Sequence, residues 1–304
     1  METSFIIGAG AIGQVLAAVL TLHGRNVVLL RGSTTRQESA VQPVRFTTPE
    51  SEYQAGVRFD LLERYPVLDG PVILTSKSFG NAGLARQLQN KTGHSPVLLL
   101  QNGLDVEQPF IDLAFPAVYR CVLFATSQFA DDGSLRFKPV SASPIGVVQG
   151  DADALPRLVE HINTPLFPFC AETDIQPVIW KKAIANCVFN SICPLLETDN
   201  GIFHRDAEVM GLARQVIGEC LEVAKRKGVV LQQDAVEESV LMISRMSDGQ
   251  LISTYQDILS KRPTEIDTLN LAVARMAQEM GLADAVPQTR LLGALTKMKS
   301  NINR

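Results

Sequence analysis

Lys182, Asn186 and Asn190 recur every four residues in a segment, 179–190, otherwise built from Ile, Trp, Ala, Cys, Val and Phe apart from Lys181. Wound as a helix at about 100° per residue, the three side chains share one stripe about 80° wide. Pro177 stands just upstream, where a helix start tolerates proline. A helix apolar on nearly all sides is normally buried, so its polar stripe must face a partner, a cavity or a ligand. An ammonium and two carboxamides in line can hydrogen-bond the carbonyl and the carboxylate of one small molecule. A buried lysine paired with a distant acid, beside two structural amides, would leave the same pattern. Lys181 lies about 100° off the stripe and is expected to face solvent.

A second constellation points to a nucleotide. Ser4–Ile7 is a short apolar strand, Gly8-Ala9-Gly10-Ala11-Ile12-Gly13 follows, a helical run extends to about His23, and Asn26–Leu30 is a second buried strand. Strand, GxGxxG, helix and strand in this order form the dinucleotide-binding context. The glycines give a tight turn, close approach to a pyrophosphate and close helix–strand packing, and the helix N-terminus supplies donors and positive potential. A site for NAD would place Asp or Glu after the second strand. This chain places Arg31, and Arg36 five residues on. A guanidinium can grip a ribose 2′-phosphate that a carboxylate would repel, so NADP(H) is the expected cofactor. Arg36 itself reads rather as a solvated loop residue than as a phosphate contact.

The elements that must position these groups follow the same logic. Strand-like runs at 71–75 and 96–100, with a helical stretch near 82–88 between them, continue a parallel βαβ alternation. Each leaves a polar residue beyond its carboxyl end, Lys77 and Asn102, where open α/β sheets bind ligands. Residues 118–127 and 135–148 read as antiparallel strands around a turn at Ala130–Gly133. A helix over 153–162 and a strand over 167–171 complete the first half. The fold class is therefore α/β: an N-terminal Rossmann-type domain (1–173), mostly parallel with added antiparallel strands, then an all-α C-terminal domain (174–304). In that second half 207–227, 234–246 and 264–280 carry 3.6-residue apolar periodicity, and a last helix follows Pro287. Ser253 and Glu265, twelve residues apart, can return to one cleft from neighbouring elements.

Bulk properties narrow the classes. With 304 residues, 46% hydrophobic, 20% charged and a net charge of −4, the chain reads as a soluble two-domain protein without a broad nucleic-acid surface. Apolar runs stop short of the roughly 20 residues of a membrane span, and no secretory leader is expected. Five cysteines without a CxxC pair fit reduced thiols in a cytoplasm, and four scattered histidines give no metal-ligand spacing.

Taken together, these residues resemble the ketopantoate reductase family over essentially the whole chain. The markers are Gly-Ala-Gly-Ala-Ile-Gly at 8–13, Leu-Leu-Arg31, Ser-Lys77, Gln-Asn102-Gly-Leu, the Lys182-xxx-Asn186-xxx-Asn190 helix, Asn200-Gly201, and Ser253 twelve before Glu265 in Thr-Glu-Ile-Asp. The resemblance implies an active site between the two domains, with Lys182 as catalytic lysine and Glu265 as its acidic partner. Asn186, Asn190, Asn200 and Ser253 would touch substrate. Gly8, Ala9, Gly10, Ala11, Ile12, Gly13, Arg31, Lys77 and Asn102 would hold NADP(H), Asn102 near the nicotinamide. The implied activity is reduction of 2-dehydropantoate to pantoate, serving pantothenate and hence coenzyme A synthesis.

Two departures bear on the substrate. The family follows the second stripe asparagine with Pro-Leu-Thr, where this chain has Ser191-Ile-Cys193-Pro. Gln250 stands where a substrate-binding asparagine is common. Both leave room for a related enzyme acting on another 2-oxo acid. A non-catalytic NADPH-binding sensor would need only the first domain's residues. The expected partner is a small-molecule 2-oxo acid, with neither nucleic acid nor membrane. A homodimer through the helical half is compatible with the sequence, but no apolar stripe names its interface.

Overall fold

A computed structural model describes residues 2–31 and 39–304 and divides the chain into two compact units. Unit 1 comprises residues 1–101 and 106–175, and unit 2 comprises residues 102–105 and 176–304. Arg36 lies outside the described residues.

Unit 1 is built on one sheet. Its strands are β1 (Thr3–Ile7), β2 (Asn26–Arg31), β3 (Ala40–Thr47), β4 (Glu52–Leu61), β5 (Val72–Leu74), β6 (Val97–Leu99), β7 (Val118–Cys121), β8 (Ala125–Phe129), β9 (Leu135–Pro139), β10 (Ser143–Gln149) and β11 (Phe169–Ala171). They lie in the order β11-β10-β7-β6-β5-β1-β2-β4-β3-β9-β8. The central six, β7-β6-β5-β1-β2-β4, run parallel. The order reverses between β1 and β5, the switch point beside which such sheets bind ligands. Successive residues go to opposite faces: Ile6, Leu29, Ile73 and Leu98 join one apolar cluster, while Phe5, Ile7, Val28, Leu30, Leu74 and Leu99 join the other. Burial on both faces is why these strands read as continuous apolar runs. The helices are α1 (Ala11–Leu22), α2 (Asn81–Leu88), α3 (Gln108–Asp112) and α4 (Leu155–Ile162).

The hairpin β3–β4 has no counterpart in the sequence reading. Pro43 interrupts β3 and pairs in register with Gly56 of β4, and each breaks the local strand signal. The proline is tolerated because β3 meets its other neighbour, β9, only at Phe46 and Thr47. The runs 118–127 and 135–148 each divide into two strands. β8 and β9 form the expected hairpin, while β10 pairs antiparallel with β7.

Unit 2 is helical apart from its connections: α5 (Ile175–Leu196, whose first residue clusters with unit 1), α6 (Ile202–Arg205), α7 (Ala207–Arg226), α8 (Gln233–Met246), α9 (Ser253–Leu259), α10 (Asn270–Glu279) and α11 (Pro287–Ile302). Asp206 caps α7 through the backbone N–H groups of Glu208 and Val209, satisfying donors the helix start leaves open. The continuous helix expected over 264–280 is broken. A single 3-10 turn covers Ile266–Thr268, Leu269 leaves helical geometry, and α10 starts at Asn270. Glu265 therefore sits in a connection, not in a first helical turn. Among the described residues no helix is long and apolar enough to cross a membrane.

Candidate active site

The turn from β1 to α1 has the form a pyrophosphate requires. Gly8 holds φ at +125°, and a Cβ there would meet the backbone of Thr75 and Ser76 at the end of β5. A Cβ on Gly13 would sit 1.9 Å from the Gly8 carbonyl oxygen, so α1 packs directly on the turn. Gly10 has no atom within 4 Å of its missing Cβ, leaving space over the helix start. No side chain caps α1 and no acid stands in its first turn, so its positive end is not neutralised locally. Ala9, Ala11 and Ile12 line the same turn, and the Ala9 carbonyl accepts a 2.8 Å bond from Gln14. Thr75 Oγ1 donates to the Gly8 carbonyl at 2.8 Å, a brace the sequence reading missed.

Arg31 ends β2 as expected. Its guanidinium lies 4.3 Å from the Phe59 ring centroid and donates to Gln42 Oε1 at 3.0 Å, both on the unforeseen hairpin. Stacking and a hydrogen bond fix the plane of the group before any ligand arrives. One acid does stand beside the end of β2: Asp60, in register with Leu30. It is engaged elsewhere, accepting from the Leu61 N–H, Tyr65 Oη, Arg58 and Arg64. Burial would raise its carboxyl, but those hydrogen bonds, with Ser39 and the nearby guanidinium of Arg64, bring it below the usual carboxylate range. Lys77 is exposed just beyond β5.

Beyond β6 a buried polar network underlies the Gln101-Asn102-Gly103 turn. Gln101 exchanges hydrogen bonds with Asn81 at 2.7 and 2.9 Å and donates to the Ser76 carbonyl at 2.8 Å. Arg120, in the middle of apolar β7, is ion-paired with Glu107, and both are buried. An arginine inside a buried strand is a sequence signal that went unread. A buried charge persists only when paired and hydrogen-bonded, so the pair fixes the loop carrying Glu107.

The helical unit carries the other candidates, and of these it joins Asn190 of α5 to Ser253. Lys182 and Asn186 are half-buried and Asn190 is buried, on a helix whose remaining residues from Ile179 to Cys193 are buried except Lys181. Lys181 is half-buried too, not exposed to solvent as its angle predicts. Asn190 Oδ1 accepts from Ser253 Oγ and from the Thr254 N–H, both at 3.3 Å, joining two of the predicted residues and capping the start of α9. Asn270 at the head of α10 donates to the Cys187 carbonyl at 3.1 Å, which fixes the connection holding Glu265 relative to α5. The Glu265 carbonyl accepts from the Thr268 N–H at 3.0 Å. The Thr268 carbonyl in turn accepts from the Leu104 N–H at 2.8 Å, and Gly103, at φ +107°, lies so close to Thr268 that a Cβ would clash. The Asn102 turn is thereby tied to the connection that bears Glu265.

The α8–α9 loop is held separately. The Asn200 N–H donates to the Gln250 carbonyl at 2.9 Å, and Asn200 Nδ2 donates to Ser247 Oγ at 3.2 Å. Asn200 is buried, and its Oδ1 has no hydrogen-bond partner among the described residues. Arg205 bridges Asp199 and Asp248, and its hydrogen bonds hold the Asp199 carboxyl below its usual range. Gln250 is exposed and Ser253 exposed beside it. Ser191 is fully buried and donates to the Cys187 carbonyl at 2.6 Å, so this departure concerns helix packing and not a ligand contact. Burial, with Asp199 nearby, pushes the Cys193 thiol up to about 12, which excludes it as a nucleophile. Among the described residues no cluster of three or more His, Cys, Asp or Glu could hold a metal.

Residues 4–143 match the profile described as ketopantoate reductase PanE/ApbA, and residues 174–300 match that of its C-terminal part. The chain belongs to the ketopantoate reductase family. As a member of it, the protein is an oxidoreductase acting on CH–OH groups, and the family implies a nicotinamide cofactor. The 2-dehydropantoate 2-reductase of Pyrococcus abyssi is 24% identical over 299 residues, 97% of each chain. That of Vibrio cholerae is 25% identical over 295 residues, 92% of this chain and 93% of its own. Among solved structures, a PanE/ApbA family ketopantoate reductase from Ralstonia eutropha superposes with a TM-score of 0.85 at 23% identity, covering 99% of both chains. A D-mandelate dehydrogenase in complex with NADH and anilino(oxo)acetate gives 0.84 at 21% identity, again over 99% of both. These two likenesses carry the fold of this ketopantoate reductase family member.

Proposed function

We propose that the protein reduces a 2-oxo acid to the 2-hydroxy acid with NADPH, its substrate being 2-dehydropantoate and its product pantoate for pantothenate synthesis. The observation that carries this reading is the α5 stripe: a half-buried lysine and two amides on a buried helix, with Asn190 tied to Ser253. Residues 1–173 act as the NADP-binding domain and 174–304 as the substrate domain, in a cytoplasmic enzyme. The nucleotide fits the residues present: Gly10 leaves open space at an uncapped helix start, and Arg31 offers an oriented guanidinium to a 2′-phosphate. Gly8–Gly13 hold the pyrophosphate, Arg31 and Lys77 the adenosine phosphate, and Asn102 borders the nicotinamide.

NADPH, when bound, supplies the hydride to the ketone carbon. Lys182 hydrogen-bonds the ketone oxygen, stabilises the charge that develops there, and donates the proton that completes the alcohol. Glu265 orients the Lys182 ammonium. Asn186, Asn190, Ser253 and Asn200 bind the acid, and the unpartnered Oδ1 of Asn200 offers an acceptor to a substrate hydroxyl. A ketone oxygen and a carboxylate on adjacent carbons match one ammonium followed by amide donors.

A second reading, reduction of a different 2-oxo acid, is favoured by Gln250, one methylene longer than the asparagine common at that position. The likeness to a D-mandelate dehydrogenase is in keeping with it. The test is NADPH oxidation by the purified protein with 2-dehydropantoate beside a panel of 2-oxo acids, with NADH in parallel. Fast turnover on 2-dehydropantoate with NADPH supports the first reading. Turnover confined to another acid replaces the substrate, and cofactor binding without turnover on any acid overturns catalysis. The Staphylococcus aureus ketopantoate reductase of the same fold is described as dimeric, and a homodimer is proposed here too.

A further inference from the structure

Within the helical unit Asn200 is held at its backbone N–H, its carbonyl and its amide nitrogen. The N–H donates to the Gln250 carbonyl at 2.9 Å, the carbonyl accepts from Ser244 Oγ at 2.7 Å, and Nδ2 donates to Ser247 Oγ at 3.2 Å. Oδ1 alone is left over, on a residue only 6% exposed. The residues on either side of Asn200 are held by charge. Asp199 Oδ1 accepts from the Gly201 N–H at 2.7 Å and from the Gly249 N–H at 3.2 Å. One carboxylate oxygen thus ties the turn at 199–201 to the loop between α8 and α9. Arg205 Nη2 donates to both oxygens of Asp199 at 2.8 Å, and its Nη1 donates to Asp248 Oδ1 at 2.5 Å. The fit is tight: a Cβ on Gly201 would lie 1.7 Å from Asp248 Oδ1, and Gly249 holds φ at +75°. Arg205 itself stands on an anchored segment, because the next residue, Asp206, caps α7.

We propose that Arg205, acting through Asp199 and Asp248, is a positioning residue that sets where Asn200 Oδ1 and Gln250 stand, and so how strictly a hydroxylated 2-oxo acid is preferred to one without the hydroxyl. The inference rests on the reading above that Asn200 and Gln250 meet the acid. A buried acceptor without a partner is costly until a ligand supplies a donor. A site built to pair with a substrate hydroxyl rejects the analogue lacking it far more strongly than an apolar pocket rejects a misfit of the same size. That discrimination lasts only while the acceptor stands within hydrogen-bond reach, so a turn displaced by about 1 Å forfeits it. The three charged side chains are partly exposed, with Arg205 at 41% and Asp248 at 49%. Exposed ion pairs add little to global stability. A guanidinium shared by two carboxylates instead fixes direction, because its donors lie in one rigid plane. The cluster therefore shapes the loop more than it stabilises the fold. Its hydrogen bonds keep the Asp199 carboxyl below the usual range, so the clamp stays charged at neutral pH.

The test compares two substrates on the full chain at saturating NADPH: 2-dehydropantoate, and the same acid with its hydroxyl replaced by hydrogen. Arg205→Ala should lower kcat/KM on 2-dehydropantoate by about 100-fold, chiefly through KM, and leave the analogue almost unchanged. Arg205→Lys keeps the charge but loses the planar fork, and should fall between the two. Asp248→Asn loosens only the far end of the bridge and should move the same ratio in the same direction by less, which keeps the test open if Arg205→Ala folds poorly. In parallel, hydrogen exchange at the Gly201 and Gly249 amides should quicken in Arg205→Ala while the amides of α7 keep their protection. Equal losses on the two acids, as a merely structural role would give, overturn the proposal. So does an unchanged ratio or unchanged glycine exchange. A native protein that reduces neither acid overturns the proposed function instead, and exchange at the two glycines then decides the clamp.

Discussion

Replacing Asn190 by alanine tests how the helical unit holds its site together. Asn190 Oδ1 accepts two bonds of 3.3 Å, from Ser253 Oγ and from the Thr254 N–H, and both Asn190 and Thr254 are buried. Alanine strands the Thr254 N–H away from water, which costs about 1–3 kcal/mol. The exposed Ser253 hydroxyl turns to solvent, so Ser253→Ala alone should cost only about 0.5 kcal/mol. With about 2 kcal/mol lost, the melting temperature of the helical unit should fall by roughly 5–10 °C. The chain's one tryptophan, Trp180, is buried on α5 itself, so its fluorescence follows that unit. In the double variant the serine change should add almost nothing to the asparagine change, because its acceptor is already gone. Asn190→Ala within about 0.5 kcal/mol of the native protein, or full additivity with Ser253→Ala, would refute the tie between α5 and α9.

Lys182→Ala should lower kcat by about 100- to 10,000-fold with melting unchanged, the scale of one proton donor and one oxyanion contact; near-normal turnover would remove Lys182 from the chemistry. Gly13→Ala must displace the Gly8 carbonyl and should destabilise unit 1, whereas Gly10→Ala meets nothing and should raise the KM for NADPH at unchanged melting temperature. Equal stability losses for the two would contradict their separate roles. Asp60 has a lowered carboxyl pKa, so its stabilising contribution is present above the unfolded value and disappears as pH falls through the folded one. Denaturant unfolding should accordingly show Asp60→Asn less stable than the native protein at neutral pH and the difference closing below about pH 4. A gap that persists in acid would mean that the loss arises from packing.

Much of unit 1 was legible because parallel strands buried on both faces leave uninterrupted apolar runs, and β1, β2, β5 and β6 all do so. The β3–β4 hairpin was illegible because Pro43 and Gly56 face each other inside it. The polar stripe on α5 was legible because its helix has so few other polar residues. What joins that stripe to its surroundings was not: Asn190 capping α9, Asn270 reaching the Cys187 carbonyl and Glu107 pairing with Arg120 are meetings across long separations. No periodicity encodes such meetings. α9 itself was missed because seven residues are too few to show a period. Ser191, singled out as a departure, proved to be a back-bonded helix residue, a role that composition does not distinguish from ligand binding.

The bond from the Leu104 N–H to the Thr268 carbonyl has a consequence for how the protein is made. Residues 102–105 leave the ribosome long before 268 exists, yet they belong to the helical unit. During synthesis the sheet can form around β1, β5 and β6 while the Asn102–Asp105 loop waits, its Gly103 conformation unsupported by Thr268. The loop acquires its final shape only when the connection after α9 arrives. A gene cut between residues 175 and 176 would therefore yield a C-terminal fragment lacking part of its own structure, and supplying residues 1–175 in trans should improve its refolding. The nascent protein is built so that the Asn102–Asp105 loop is set only after nearly the whole chain has emerged.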